Sequence, residues 1–130
     1  YKKGDLYAEG VPVRTLAQRF GTPLYVYSRT HLRRQYRELA AAMAPVRPLI
    51  CYSVKANSNG AVIGTLLREG AGLDIVSGGE LYRALRAGAD PAKIVYAGVG
   101  KTREEIEYAL KTGILFLTLE SEPEAARISQ

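Results

Sequence analysis

The chain is 130 residues long, 47 % apolar and 24 % charged, which suits one soluble globular domain with its own core. Its longest apolar runs reach about six residues where a membrane helix needs roughly 20, and no cleavable apolar leader opens it. No membrane-spanning helix is expected, and a cytoplasmic protein is the expectation. Eighteen basic residues against 13 acidic ones leave a net charge of +5, a charge that an anionic small molecule could use but that the count does not locate.

Residues 1–10 are polar and show no strong period. Val13, Leu16, Ala17 and Phe20 then share one face of a short amphipathic helix that Gly21 stops. Pro23 leads into a short strand over residues 24–27. Ser28 can cap the next helix, which runs to about Met43 and ends ahead of Pro45. Leu32, Tyr36, Leu39 and Met43 mark the apolar face of that helix. Arg29, Arg33, Arg34 and Arg37, with His31 among them, fall between those positions and read as its solvated side, so nucleic acid is not expected as a partner.

From residue 49 a pattern repeats. Strands begin near Leu49, Leu73, Ile94 and Ile114, at intervals of 24, 21 and 20 residues, and each interval holds a helical segment. Val62, Ile63, Leu66 and Leu67 mark the first helix, Leu81, Ala84 and Leu85 the second, and Ile106, Ala109 and Leu110 the third. Thr102 with Glu105, and Ser121 with Glu124, have the spacing of a capping box. Strand, helix and strand with short connections imply parallel pairing through right-handed crossovers. Two closures fit: an open doubly wound sheet, or an α/β barrel seen in part. A closed eight-stranded barrel needs roughly 250 residues, and this chain supplies about half. It begins at Tyr1 and stops at Gln130, a few residues into its last helix, and so reads as the N-terminal part of a longer protein.

The apolar run over residues 49–54 reads as a buried strand, with Cys51 packed inside it as a small hydrophobe. That cysteine is the only one, so no internal disulfide forms, and with a single histidine no metal site of soft ligands is expected. Lys55 follows the run at once, before Asn57, Ser58, Asn59 and Gly60 turn the chain. In barrels the edge where strands give way to loops carries the chemistry. A lysine amine held partly out of water there can attack a carbonyl to form a Schiff base. Position alone leaves the ordinary alternative, an ammonium pointing into water.

Asp74 interrupts an otherwise apolar strand, where an unpaired carboxylate is costly, and Lys55 on the adjacent strand is its natural partner. Ser77, Gly78, Gly79 and Glu80 come next. They form either a plain turn, with Glu80 a first-turn carboxylate favoured by the helix dipole, or a loop bordering a flat ligand. Residues 98–102, from Gly98 to Thr102, end like a phosphate loop. That loop's first glycine would fall at Val95, inside a strand, and Arg103 stands where a dinucleotide motif needs its last glycine. The preferred reading is a tight turn with Thr102 as helix cap; the alternative is a phosphate- or nucleotide-binding module.

The segment Tyr52-Ser-Val-Lys55-Ala-Asn57-Ser-Asn59 resembles the cofactor-lysine segment of the fold-type III pyridoxal-phosphate-dependent amino-acid decarboxylases, closest to their diaminopimelate decarboxylase branch. A second block, residues 72–81, places Asp74 nineteen residues beyond Lys55, as in that family. Residues 96–102, 119–124 and, upstream, 21–28 complete five blocks in the family's order.

The resemblance implies a partial pyridoxal-phosphate-binding, TIM-like (β/α) barrel of about four strand–helix units over residues 28–130. Residues 1–27 would be an N-terminal segment and lead-in strand that joins a C-terminal β domain in the longer chain. It implies pyridoxal 5′-phosphate as cofactor and Lys55 as the catalytic, Schiff-base lysine. Asp74 is implied as a catalytic and cofactor-binding carboxylate, and Ser77 and Glu80 as cofactor-binding loop residues. The implied activity is decarboxylation of meso-2,6-diaminopimelate to L-lysine and carbon dioxide by a cytoplasmic homodimer acting on a small amino acid. Decarboxylases of the ornithine, arginine or carboxynorspermidine type are the alternatives, with Ser53 and the run from Val76 to Glu80 leaning to diaminopimelate. The phosphate, pyridine-nitrogen and cross-dimer residues of the family would lie beyond Gln130, and the piece alone is expected to be inactive.

Overall fold

The computed structural model describes Tyr1 and residues 4–129. In the stretch where the sequence shows no period, the chain forms a small antiparallel hairpin of β1 (Tyr7–Ala8) and β2 (Val11–Pro12). Two residues per strand are too few for alternation to be visible; Glu9, at φ 55°, makes the turn. The Glu9 carboxylate accepts from Ser28 Oγ at 2.6 Å and from the Thr30 amide at 2.8 Å, tying the hairpin to the start of the long helix that follows.

Helix α1 (Val13–Phe20) ends at Gly21 as its spacing predicts. The strand expected over residues 24–27 does not form. Among the described residues no strand lies beside it to complete a ladder, and Tyr25 stays 86 % exposed. Strand propensity expresses itself only against a neighbour.

Helix α2 (Arg29–Met43) is capped by Ser28, whose hydroxyl accepts the His31 amide at 3.0 Å. Its Leu32 and Tyr36 pack on Val62, Leu66 and Ala71, as the apolar face requires. Its arginines stand on the solvated side, and two of them also pair across the fold. Arg33 and Arg37 both bond the carboxylate of Glu69, whose side chain is only 8 % exposed, and so clamp α2 onto the next unit. Their partner lies 36 and 32 residues away, beyond any pattern on one helix.

Four parallel strands make the main sheet: β3 (Cys51–Ser53), β4 (Gly72–Ile75), β5 (Ile94–Tyr96) and β6 (Phe116–Leu117), in the order β3-β4-β5-β6. They are shorter than the apolar runs suggest; β3 stops at Ser53 because Val54–Ala56 curls into a tight 3-10 turn. Helices α3 (Gly60–Leu67), α4 (Gly78–Arg86) and α5 (Arg103–Thr112) connect them, and α6 (Glu122–Ile128) follows β6. Ile63, Leu81, Ala84 and Ala109 from the first three helices share one core with Leu73, Ile75, Ile94 and Tyr96. The helices thus cover one face of a sheet whose strand order never reverses. A doubly wound sheet reverses its order and carries helices on both faces, so the architecture is α/β, part of a barrel with its helices outside.

Alternation then decides the other face. Ser53, Asp74, Val95 and Phe116 follow one another in register across the four strands, opposite to the buried Leu73 and Ile75. Gly72 starts the central contact because nothing larger fits. A Cβ there would meet the Lys93 carbonyl at 2.6 Å and Cys51 Sγ at 2.8 Å. Among the described residues no helix is long and apolar enough to cross a membrane.

Candidate active site

The C-terminal ends of β3, β4 and β5 bring the singled-out residues to one edge. Lys55 lies in the turn directly after β3 and is exposed. Its surroundings are pinned by local bonds. Tyr52 Oη donates to the Asn57 carbonyl at 3.1 Å, Asn57 Oδ1 accepts the Asn59 amide at 2.9 Å, and Asn59 Oδ1 caps α3 through the Ala61 amide at 2.8 Å. The lysine is therefore an exposed side chain on a hydrogen-bonded backbone, and it makes no ion pair among the described residues.

Asp74 is half-buried on the helix-free face of β4. The expected pairing with Lys55 is not formed. Asp74 Oδ2 instead accepts from Ser53 Oγ at 3.0 Å. Register explains the difference: Ser53 stands directly opposite Asp74, whereas Lys55 lies two residues later, in the turn that leaves the ladder. Behind this pair, burial first and the Asp74 charge second push the Cys51 thiol above its ordinary pKa.

The loop after β4 is built by Ser77 and Glu80. Ser77 Oγ accepts the Glu80 amide at 3.2 Å, and Glu80 Oε2 accepts the Val76 amide at 2.8 Å. Glu80 thus holds the loop from inside, one residue further back than a capping box would. The next unit carries a full capping box between Thr102 and Glu105. Glu105 also accepts the Gly78 amide of the preceding loop at 2.8 Å. The box was legible in the spacing Thr102-x-x-Glu105; the second contact, 27 residues away, was not.

Lys101 settles the turn over residues 98–102. Its ammonium is spent on the Gly98 carbonyl at 2.7 Å, the Thr118 carbonyl at 2.8 Å and Glu124 Oε1 at 3.2 Å, and the residue is 3 % exposed. A phosphate loop needs that lysine turned outward to its ligand. The phosphate-module alternative therefore gives way to the tight turn with Thr102 as cap. Beneath it lies Tyr96, fully buried, its hydroxyl without a hydrogen-bond partner of ordinary geometry among the described residues. Loss of water first, then the charge and proximity of Glu105, raise that phenol's pKa.

Comparison with known proteins agrees with this layout. The family described as "Pyridoxal-dependent decarboxylase, pyridoxal binding domain" matches residues 29–130. The chain is 52 % identical over 130 residues to the diaminopimelate decarboxylase of Pseudomonas aeruginosa, covering 100 % of this chain and 31 % of that protein. With the diaminopimelate decarboxylase of Vibrio cholerae it shares 51 % over 127 residues, 98 % of this chain and 30 % of the other. The crystal structure of diaminopimelate decarboxylase from M. jannaschii in complex with L-lysine superposes with a TM-score of 0.94 at 34 % identity, over 98 % of this chain and 31 % of that one. The chain thus spans roughly a third of the length of these relatives. A one-directional parallel sheet, an exposed strand-end lysine and a family match over 102 consecutive residues, 29–130, lead to one conclusion: the chain belongs to the pyridoxal-dependent decarboxylases and carries part of their pyridoxal-binding domain.

Proposed function

We propose that this chain is the front of a diaminopimelate decarboxylase, which converts meso-2,6-diaminopimelate to L-lysine and carbon dioxide with pyridoxal 5′-phosphate. The observation that carries the reading is identity of 52 % along the whole chain to a protein of that activity. Residues 28–130 form the N-terminal part of the barrel, and residues 1–27 a separate lead-in segment. The working enzyme is a cytoplasmic homodimer whose only small-molecule partners are its cofactor and an amino acid. Nucleic acid and membrane are not among the partners this reading gives it.

The donor set fits a pyridoxal. Among the described residues the edge offers a primary amine with no ion-pair partner, a carboxylate on the next strand, and a loop with room at its tip. A side chain at Gly79 would meet only Ser77 Oγ, at 3.9 Å. Bound pyridoxal phosphate supplies the sink for the electron pair left when a carboxylate departs as carbon dioxide. Lys55 would hold the cofactor at its aldehyde carbon. Asp74, steadied by the Ser53 hydroxyl, would take the proton of the Lys55 amine when that side chain turns toward it. Ser77 and Glu80 shape the backbone that borders the cofactor.

The full-length protein reconstituted with pyridoxal phosphate, reduced with borohydride and mapped by peptide, should carry its label on Lys55. A label on Lys93 or Lys101 would refute the assignment. Turnover of diaminopimelate against ornithine and arginine reads the substrate, and preference for either of the latter moves the protein to a sister activity.

A further inference from the structure

The loop at Ser77, Gly78 and Gly79 is not held by its own strand and helix alone. Glu105, on the following helix, uses its two carboxylate oxygens for two different backbone segments. Oε2 accepts the Thr102 amide of its own first turn at 3.0 Å, and Oε1 accepts the Gly78 amide of the neighbouring loop at 2.8 Å. The approach depends on the absence of a side chain. A Cβ on Gly78 would stand 3.1 Å from Glu105 Cγ and 3.4 Å from Oε1, tighter than ordinary packing allows. The Gly78 amide foremost, and the Thr102 amide next, hold the Glu105 carboxyl below the usual glutamate range, so it accepts both bonds as an anion at neutral pH.

The next helix repeats the arrangement with another donor. Glu124 Oε2 accepts the Glu120 amide at 2.9 Å, and its Oε1 reaches one unit back to the Lys101 ammonium at 3.2 Å. In both helices the third-position carboxylate serves its own turn with one oxygen and the preceding loop with the other.

We propose that Glu105 is a positioning residue for the cofactor site: it fixes the shape of the Ser77–Gly78–Gly79 loop by carrying the Gly78 amide, and so prepares that loop to receive pyridoxal phosphate. The inference rests on the reading of the Lys55 edge as the cofactor site. Aspartate at 105 keeps the first-turn negative charge that favours α5 and, one methylene shorter, loses the reach to Gly78.

The test uses the full-length protein. In its cofactor-free form, Glu105→Asp should raise amide hydrogen exchange at residues 76–79 by about tenfold or more, the scale of one charge-assisted bond, with exchange along α5 unchanged. In absorbance titrations the same variant should bind pyridoxal phosphate about tenfold more weakly. Gly78→Ala, which pushes the carboxylate away from the other side, should weaken cofactor binding similarly, and the double variant should lose little more than either single one. Unchanged exchange at residues 76–79 in both single variants would overturn the proposal. So would faster exchange with unaltered cofactor affinity, since the loop would then be held for another purpose. An error in the underlying site reading shows separately, in the unsubstituted protein, as a borohydride-fixed label away from Lys55.

Discussion

Ser53 and Asp74 face each other in register on β3 and β4, and the Ser53 hydroxyl donates to Asp74 Oδ2 at 3.0 Å. The carboxylate is thus oriented before any cofactor arrives, by a residue on the strand that delivers Lys55. Asp74→Asn in the full-length enzyme should lower kcat by about tenfold or more, with pyridoxal phosphate retained, as expected for loss of a proton acceptor. Ser53→Ala should cost less, roughly fivefold, the kinetic equivalent of a net hydrogen bond of ~1 kcal/mol. Steady-state rates with a cofactor absorbance control decide it. An Asp74→Asn enzyme with unchanged rate and pH dependence would leave Asp74 only a structural part.

Lys101 is buried with three acceptors, and its partner Glu124 is nearly as enclosed, with side chains 1 % and 7 % exposed. Lys101→Met strands that carboxylate and should cost about 3–5 kcal/mol of stability in urea unfolding. Adding Glu124→Leu should recover part of the loss, because the uncompensated charge is then gone. Affinity for inorganic phosphate should not respond to either change. A phosphate effect would restore the nucleotide-loop reading.

Tyr96 presents the opposite case, a buried hydroxyl with no well-formed hydrogen bond among the described residues. Phenylalanine keeps the ring beneath Lys101, whose ammonium lies 5.6 Å from its centroid. Glu105 raises the phenol's pKa through its charge and a weak hydrogen bond, so Tyr96→Phe exchanges an under-bonded hydroxyl for none and should change stability by no more than about 1 kcal/mol. Thermal unfolding measures it, and a clear loss of stability would reveal a partner for the hydroxyl.

Three carboxyls tie units together: Glu69 by Arg33 and Arg37, Glu105 by the Gly78 and Thr102 amides, and Glu124 by the Glu120 amide and Lys101. Each is held below the ordinary glutamate value of 4.5. Each binds its proton less readily folded than unfolded, so its contribution is complete above pH 4.5 and vanishes as pH falls through the lowered folded value. Tm should hold between pH 7 and roughly 5 and drop steeply below about 4.5. Glu69→Gln should start from a lower Tm and show a shallower drop. Equal slopes in the two proteins would remove Glu69 from the acid response.

What could be read from the sequence was local. The stop at Gly21 and the caps at Ser28, Thr102 and Ser121 each depend on residues within a turn of one another. The structure has them where the spacing predicts, except that Glu124 completes its side of the box on the Glu120 amide, one residue before the cap. The strand at residues 24–27 failed because a ladder needs a second chain segment. Arg33 and Arg37 lie on the outward side as the pattern implies, but amphipathicity sorts residues by face and does not say which outward face meets an acid 32–36 residues later. Lys55 follows β3 and Asp74 lies on β4 as the strand pattern implies, but adjacent strands alone do not set a pairing, and a two-residue offset in register hands the carboxylate to Ser53.

The two-oxygen grip of Glu105 and Glu124 also bears on how this barrel can be recombined. Each repeat is stitched to the one before it through a backbone donor or lysine that belongs to the earlier repeat. A chimera cut between α4 and β5 divides the Gly78–Glu105 contact between two parents, and one cut between α5 and β6 divides Lys101 from Glu124. Because the two contacts overlap in sequence, any crossover between residues 78 and 124 divides at least one of them, and a crossover between Lys101 and Glu105 divides both. Modules exchanged among related decarboxylases should therefore load cofactor least often when they are joined at that loop-to-helix boundary.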